Sequence, residues 1–314
     1  MDKPFLSIVI PLYNESGFLE NTLREIQHHV KKTNLTYEVI LIDDGSTDGT
    51  WNLISNLSHT GPKLRGIKLS RNFGKESAIT AGLEFASGDI AIVMDGDGQH
   101  PPELIPEMVK RWREGVDIVE AIKADRGTEH FSTKIGAKLF YWLMRCLTDL
   151  NIDKASDFKL LDRKVIDAHN KLPEKIRFFR GLVSWIGFKK VQIPFSVRER
   201  VTGESRWSFI HLVKLAVNAS TSFSSLPLHL ITVMGVITFI LSIIIGLQTV
   251  YMKFSGAAVS GFTTVILLLL FIGSVLMMSL GIIGIYISRI FDEVKGRPRF
   301  IIEDAINIKE NMHS

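Results

Sequence analysis

Residues 37–51 read YEVILIDDGSTDGTW, an apolar run that stops at paired aspartates and a glycine-rich turn. Val39 to Ile42 have the continuous, β-branched character of a strand covered on both faces. Asp43, Asp44, Gly45 and Ser46 make the turn, and TWNLISNL then reads as a helix. The same pattern recurs on either side. Upstream, FLSIVIPLYNE is a strand stopped at Pro11, and GFLENTLREIQHHVKK spaces Phe18, Leu19, Leu23, Ile26 and Val30 as a helix would. Downstream, RGIKLS leads to GKESAITAGLEFA, DIAIVMDGDG leads to ELIPEMVKRWREG, and VDIVEAIK is a fifth strand. Strands alternating with helices imply an α/β domain with a mainly parallel sheet wrapped on both sides. Ligands of such sheets sit beyond the carboxyl ends of the strands. Pro11–Glu15, Asp43–Ser46, Ser70–Gly74 and Asp95–Gln99 all fall at those ends, on one rim.

Composition narrows the class. The 314 residues carry 37 Lys+Arg against 33 Asp+Glu without a long single-sign run, too weak a basic excess to indicate nucleic acid. Cys146 is the only cysteine, which excludes an intrachain disulfide and a cysteine metal site and fits a cytosolic setting. FLSIVI is short and interrupted by Pro11, so the N-terminus does not read as a signal peptide.

Two stretches are apolar throughout. Leu228–Val250 and Ser255–Ser288 contain no Asp, Glu, Lys or Arg, and a helix needs about 20 apolar residues to cross a bilayer. They read as a transmembrane hairpin; the alternative is a pair of buried core helices. Arg198, Arg200, Arg206 and Lys214 precede the first stretch, and Arg289, Lys295, Arg297 and Arg299 follow the second, while the loop between holds only Lys253. The positive-inside bias then places both termini in the cytoplasm. The expected division is a catalytic domain over 1–207, a juxtamembrane helix over 208–227, two spans within 228–290 and a cytosolic tail over 291–314. SFIHLVKLAVNASTSF reads as an interfacial helix or a plain connecting one. RPRFIIEDAINI could add a strand to a neighbouring subunit of a homo-oligomer or be a loose tail.

The strand ends carry the chemistry. In MDGDGQHPPE, Asp95 and Asp97 lie so close that they require a cation, a partner or full solvation. With the Gln99 amide oxygen they suit Mg²⁺ or Mn²⁺, which prefer oxygen ligands; a solvated acidic turn is the alternative. Asp43 and Asp44 can accept from a base edge or a ribose hydroxyl, or serve as an Asx-turn capping the next helix. Arg71, Asn72 and Lys75 suit a phosphate or an acceptor, or form a solvated loop.

VIPLYNE, IDDGSTDGT, RNFGKESAITAGL, MDGDGQHPPELIP, SDFKLLDRKV and RFFRGLVSWIGF occur in this order. Together they resemble family 2 glycosyltransferases of the polyisoprenyl-phosphate branch, similar to dolichyl-phosphate mannose synthases and bactoprenol glucosyltransferases. The resemblance implies a GT-A nucleotide-sugar-binding domain. It places Pro11, Tyr13, Glu15 and Asp44 around the nucleoside, and Asp95, Asp97 and Gln99 at a divalent metal and the diphosphate. It makes Asp157 a candidate base near the acceptor, and puts Arg200 and Arg206 in a phosphate-engaging loop, where Arg206-Trp207 replaces the more frequent Lys-Tyr. Arg206 could alternatively meet lipid headgroups. The implied reaction is inverting transfer of a hexose, glucose from UDP-glucose, to undecaprenyl phosphate at a bacterial cytoplasmic membrane. Two alternatives stand beside it: a processive polysaccharide synthase, whose Gln-x-x-Arg-Trp signature is missing, and a non-catalytic lipid-binding scaffold.

Overall fold

The computed structural model of the chain describes residues 5–60, 63–123, 155–175, 177–195, 226–256 and 261–308. They fall into two compact units. The first unit is built on strands β1 (Phe5–Leu12), β2 (Thr36–Asp43), β3 (Leu64–Leu69), β4 (Ile90–Val93), β5 (Ile118–Lys123), β6 (Ala155–Asp162), β7 (Lys190–Phe195) and β8 (Ile302–Ile306). Its helices are α1 (Leu19–Lys31), α2 (Thr50–Thr60), α3 (Lys75–Glu84), α4 (Ile105–Arg113), α5 (Arg163–Lys171) and α6 (Phe179–Ile186).

The strands form one sheet in the order β7-β5-β6-β4-β1-β2-β3-β8. β1 pairs in parallel with β2 and β4, β2 with β3, and β5 with β7. β6 runs antiparallel between β4 and β5, and β8 antiparallel along β3. The chain steps outward from β1 to β3, then returns to place β4 on the other side of β1. That reversal is the topological switch point of an open α/β sheet, where a crevice opens at the strand ends.

The period-two pattern divides the core. Leu6, Ile8, Ile10 and Leu12 of β1 pack on one face with Leu23 and Ile26 of α1 and Met108 of α4. Val9, Ile40 and Ile42 face the other side, against Ile79 of α3, Ile166 of α5 and Phe179 of α6. Each such side chain removed from water contributes roughly 1.5–3 kcal/mol. Gly82 lets α3 lie close to the sheet, since a Cβ there would sit 2.3 Å from Val9 Cγ1 and 2.7 Å from Ile42 Cδ1.

Two strands, β6 and β7, were not anticipated, and β8 pairs within its own chain. SDFKLLD holds Asp157 and Lys159 in a buried strand, where charge hides the pattern. β7 carries Pro194, which an edge strand tolerates. The C-terminal stretch is not a loose tail: β8 pairs along the β3 edge of its own sheet. Ser70 N–H donates to Ile301 O at 2.9 Å, Lys68 pairs with Glu303 at 2.9 Å, and the Asn307 amide donates to Ser58 O and Leu64 O.

The second unit contains α7 (Leu226–Phe254) and α8 (Phe262–Val294), which contact each other. Within them, Ile231–Phe254 and Leu268–Val294 are long and apolar enough to cross a membrane, and neither window is buried in the protein. That exposure favours membrane-spanning helices over the core-helix alternative, because a core helix would be covered. α8 extends past residue 290 into the stretch expected as tail. Arg200, Arg206 and residues 208–225 of the expected juxtamembrane helix lie outside the described residues.

Candidate active site

Four strand ends meet at the switch point. Leu12 lies in register with Asp43, and the Asp44 N–H donates to Leu12 O at 2.9 Å, which ties the β1 and β2 ends together. Pro11 is buried at the end of β1, while Tyr13 stands out at 46% exposure. The loop is fixed by Asn14, whose N–H donates to Ser46 Oγ at 2.9 Å and whose Oδ1 accepts from Thr47 N–H at 2.8 Å.

Asp43 and Asp44 are both buried, and burial pushes both carboxyls up. Asp44 spends its oxygens on the backbone, accepting from Phe73 N–H at 2.7 Å and Gly74 N–H at 2.9 Å. Asp43 accepts from Ser46 N–H through Oδ1, and its Oδ2 is buried without a partner. The first aspartate of the pair thus holds the open acceptor position, whereas the family resemblance pointed to Asp44. Gly45, at φ +70°, permits the turn to touch Arg71–Asn72; a Cβ there would lie 2.4 Å from the Arg71 carbonyl carbon.

At the end of β4, Asp95, Asp97 and Glu15 come together. Glu15 Oε2 is buried without a partner, and a Cβ on Gly96 would sit 2.5 Å from it. Burial, followed by Asp97 and Asp95, pushes the Glu15 carboxyl up to about 8. Gln99 N–H donates to Asp97 Oδ1 at 3.0 Å, curling the turn. His100 accepts from Asp95 N–H through Nδ1 at 2.9 Å and stacks on Phe158 with ring centroids 5.1 Å apart.

Behind this rim lies a network that the sequence did not reveal as a unit. Lys75 Nζ is 2.6 Å from Asp95 Oδ1 and donates to Asp157 Oδ2 at 2.6 Å. Arg180 donates to the same carboxylate, Nε to Oδ1 at 2.6 Å and Nη2 to Oδ2 at 2.9 Å. Burial opposes ionisation of Asp157, yet Arg180 and Lys75 outweigh it and hold the carboxyl well below the usual range. A carboxylate so held is a weaker proton acceptor than a free one, and in this structure Asp157 anchors two cations. Arg180 and Glu76 are additions to the predicted set. Glu76 accepts from Phe179 N–H at 2.7 Å, and burial and then Asp157 push it up to about 7.

Among the described residues no group of three acidic or imidazole side chains is placed to hold a metal alone. Asp95 is engaged by Lys75, which leaves Asp97 and the unpartnered Glu15 oxygen. This oxygen donor set fits a divalent ion shared with phosphates, because such ions commonly take only one or two protein carboxylates. A cation there would also relieve the repulsion that raises Glu15.

A two-faced, mainly parallel sheet with this rim at its switch point is the GT-A arrangement of a glycosyltransferase. Residues 7–169 match the model of glycosyl transferase family 2, and the chain belongs to that family. It is 38% identical over 304 residues to an uncharacterized glycosyltransferase of Synechocystis, covering 95% of each chain. It is 34% identical to the SfII prophage-derived bactoprenol glucosyl transferase of Shigella flexneri, over 96% of this chain and 98% of that one. Among solved structures, mannosyl-3-phosphoglycerate synthase from Rubrobacter xylanophilus aligns with TM-score 0.49 at 17% identity, over 70% of this chain and 73% of that chain.

Proposed function

We propose that this glycosyltransferase moves one glucose from UDP-glucose to undecaprenyl phosphate, with inversion, at the cytosolic face of a bacterial cytoplasmic membrane. The observation that carries a diphosphate donor is the convergence of Asp95, Asp97 and the unpartnered Glu15 oxygen at the switch point. The lipid acceptor is supported by the bactoprenol glucosyl transferase relative, which matches through both apolar helices.

Pro11, Tyr13, Asp43 and Asp44 would hold the nucleoside, and Asp97, with Gln99 shaping its turn, would hold a divalent ion. Bound Mg²⁺ or Mn²⁺ supplies positive charge where the departing nucleoside diphosphate gathers negative charge. Asp157 keeps Arg180 and Lys75 in place beside the reacting centre. An acceptor phosphate is already anionic near neutral pH, so a strong base is not required. Arg200 and Arg206 remain assigned to phosphate contacts on the resemblance alone. The positive flanks of the two spans support a cytosolic catalytic domain with both termini on the same side.

The test is a panel of nucleotide sugars with undecaprenyl phosphate and the purified full chain in detergent. UDP-glucose is expected to give one sugar per lipid in β linkage; an α-linked product would end the single-displacement proposal. Asp97→Ala is expected to lower turnover by roughly 10²–10³-fold, and full retained turnover would remove the role of Asp97.

A further inference from the structure

The loop after α5 buries a cation that the catalytic reading does not use. Arg177 is 7% exposed. Its Nη1 donates to His169 O at 3.0 Å and its Nη2 to Leu172 O at 2.8 Å, with the His169 ring nitrogens 3.2 and 3.4 Å from Nη1. Nε is buried without a partner. None of the ion pairs among the described residues involves Arg177; Glu84 and Glu174 act on it only through space. Burial, and then Arg299, bring its pKa down to about 10. A buried charge without a directly bound counter-charge is costly.

Beside it lies a cavity of about 200 Å³, lined by Arg177, Arg299, Lys175, Ser77, Thr80 and the Phe73 ring. Arg299 Nη2 donates to Leu172 O at 2.5 Å, so two guanidinium groups converge on one carbonyl. Of the acids nearby, Glu84 lies 3.4 Å from Arg299 Nη1, Glu76, which also lines the cavity, accepts from Phe179 N–H, and Glu174 keeps one buried oxygen without a hydrogen-bond partner. Ser77 and Thr80 now donate to Phe73 O and Glu76 O, and their hydroxyls can rotate toward a ligand. Two guanidinium forks and an ammonium suit an anion with several oxygens arranged in three dimensions. Neither Asp43, Asp95, Asp97 nor Asp157 lines this space.

We propose that this cavity is a second anion site that binds a phosphate group, either free or as the headgroup of an anionic phospholipid. The full chain in neutral detergent should be thermally stabilised by inorganic phosphate relative to chloride at matched ionic strength. Arg177→Gln removes the buried cation, and Thr80→Leu fills the space while leaving every charge in place. Each variant should weaken the apparent phosphate affinity by at least about tenfold, Arg177→Gln by losing a charge-assisted contact and Thr80→Leu by filling the space the anion needs. Asp97→Ala should keep the wild-type response. Phosphatidylglycerol added to the micelles separates the sources: abolition of the inorganic phosphate response identifies a headgroup, and an unchanged response identifies free phosphate. Should Arg177→Gln not fold, Thr80→Leu decides. The proposal is overturned if neither probe acts on the wild type, if the response survives in Thr80→Leu, or if Asp97→Ala alone abolishes it.

Discussion

At Asp157 the carboxylate accepts from Lys75 and from two nitrogens of Arg180. An anchor and a base fail differently. Asp157→Asn is expected to lower kcat by about 10²-fold at every pH without moving the acid limb of the rate profile. Disappearance of that limb would restore the base. His169 gives a stability prediction of definite sign. Burial, and then Arg177, lower its pKa to about 4 from 6.5, so the folded state keeps it neutral while the unfolded chain takes up a proton. Stability is fully present above about pH 6.5 and declines as the pH falls toward 4; His169→Gln should flatten the fall in Tm across that window. The carboxylates of the rim were legible because they end apolar runs. Arg180 was not, because RFFRGL shows only a helix start and its partner lies 23 residues away. The open oxygen of Asp43 was equally hidden, since only coordinates show that Phe73 and Gly74 occupy Asp44.

Among the elements, α3 joins the buried helix–sheet interface to the site. Gly82 sits against Val9 and Ile42, and Lys75 at the other end enters the carboxylate network. Gly82→Ala should cost roughly 1–3 kcal/mol through overpacking, read as a lowered denaturation midpoint. The strands that alternate with helices were readable from period and turn chemistry. β6 was not, because Asp157 and Lys159 interrupt its apolar pattern; Lys159 is satisfied by a buried ion pair with Glu120 on β5. For β8 the partner was hidden rather than the strand: RPRFIIEDAINI offered a strand for a neighbouring subunit, while the β3 edge it pairs with lies more than two hundred residues away in sequence. Truncation after Arg297 should uncover the β3 edge and lower the Tm of the catalytic unit by about 5 °C or more. An unchanged Tm would show that β8 contributes nothing to the sheet.

On the scale of the whole molecule, the composition of α7 and α8 sets the solvent. Phe239, Leu247, Leu269 and Met277 are exposed on helices whose apolar stretches of 24 and 27 residues suit a bilayer. The chain should therefore stay in membranes through an alkaline wash and leave only with detergent. For the proposed orientation, Lys253→Cys in a Cys146→Ser background should react with a membrane-impermeant maleimide added outside spheroplasts. Labelling only after lysis would reverse the topology. The strand that finishes the sheet is encoded behind both apolar helices. A ribosome thus releases it after the hairpin has been synthesised. The catalytic unit cannot complete this edge of its sheet until both apolar helices have been made, so the order of the chain itself delays its maturation.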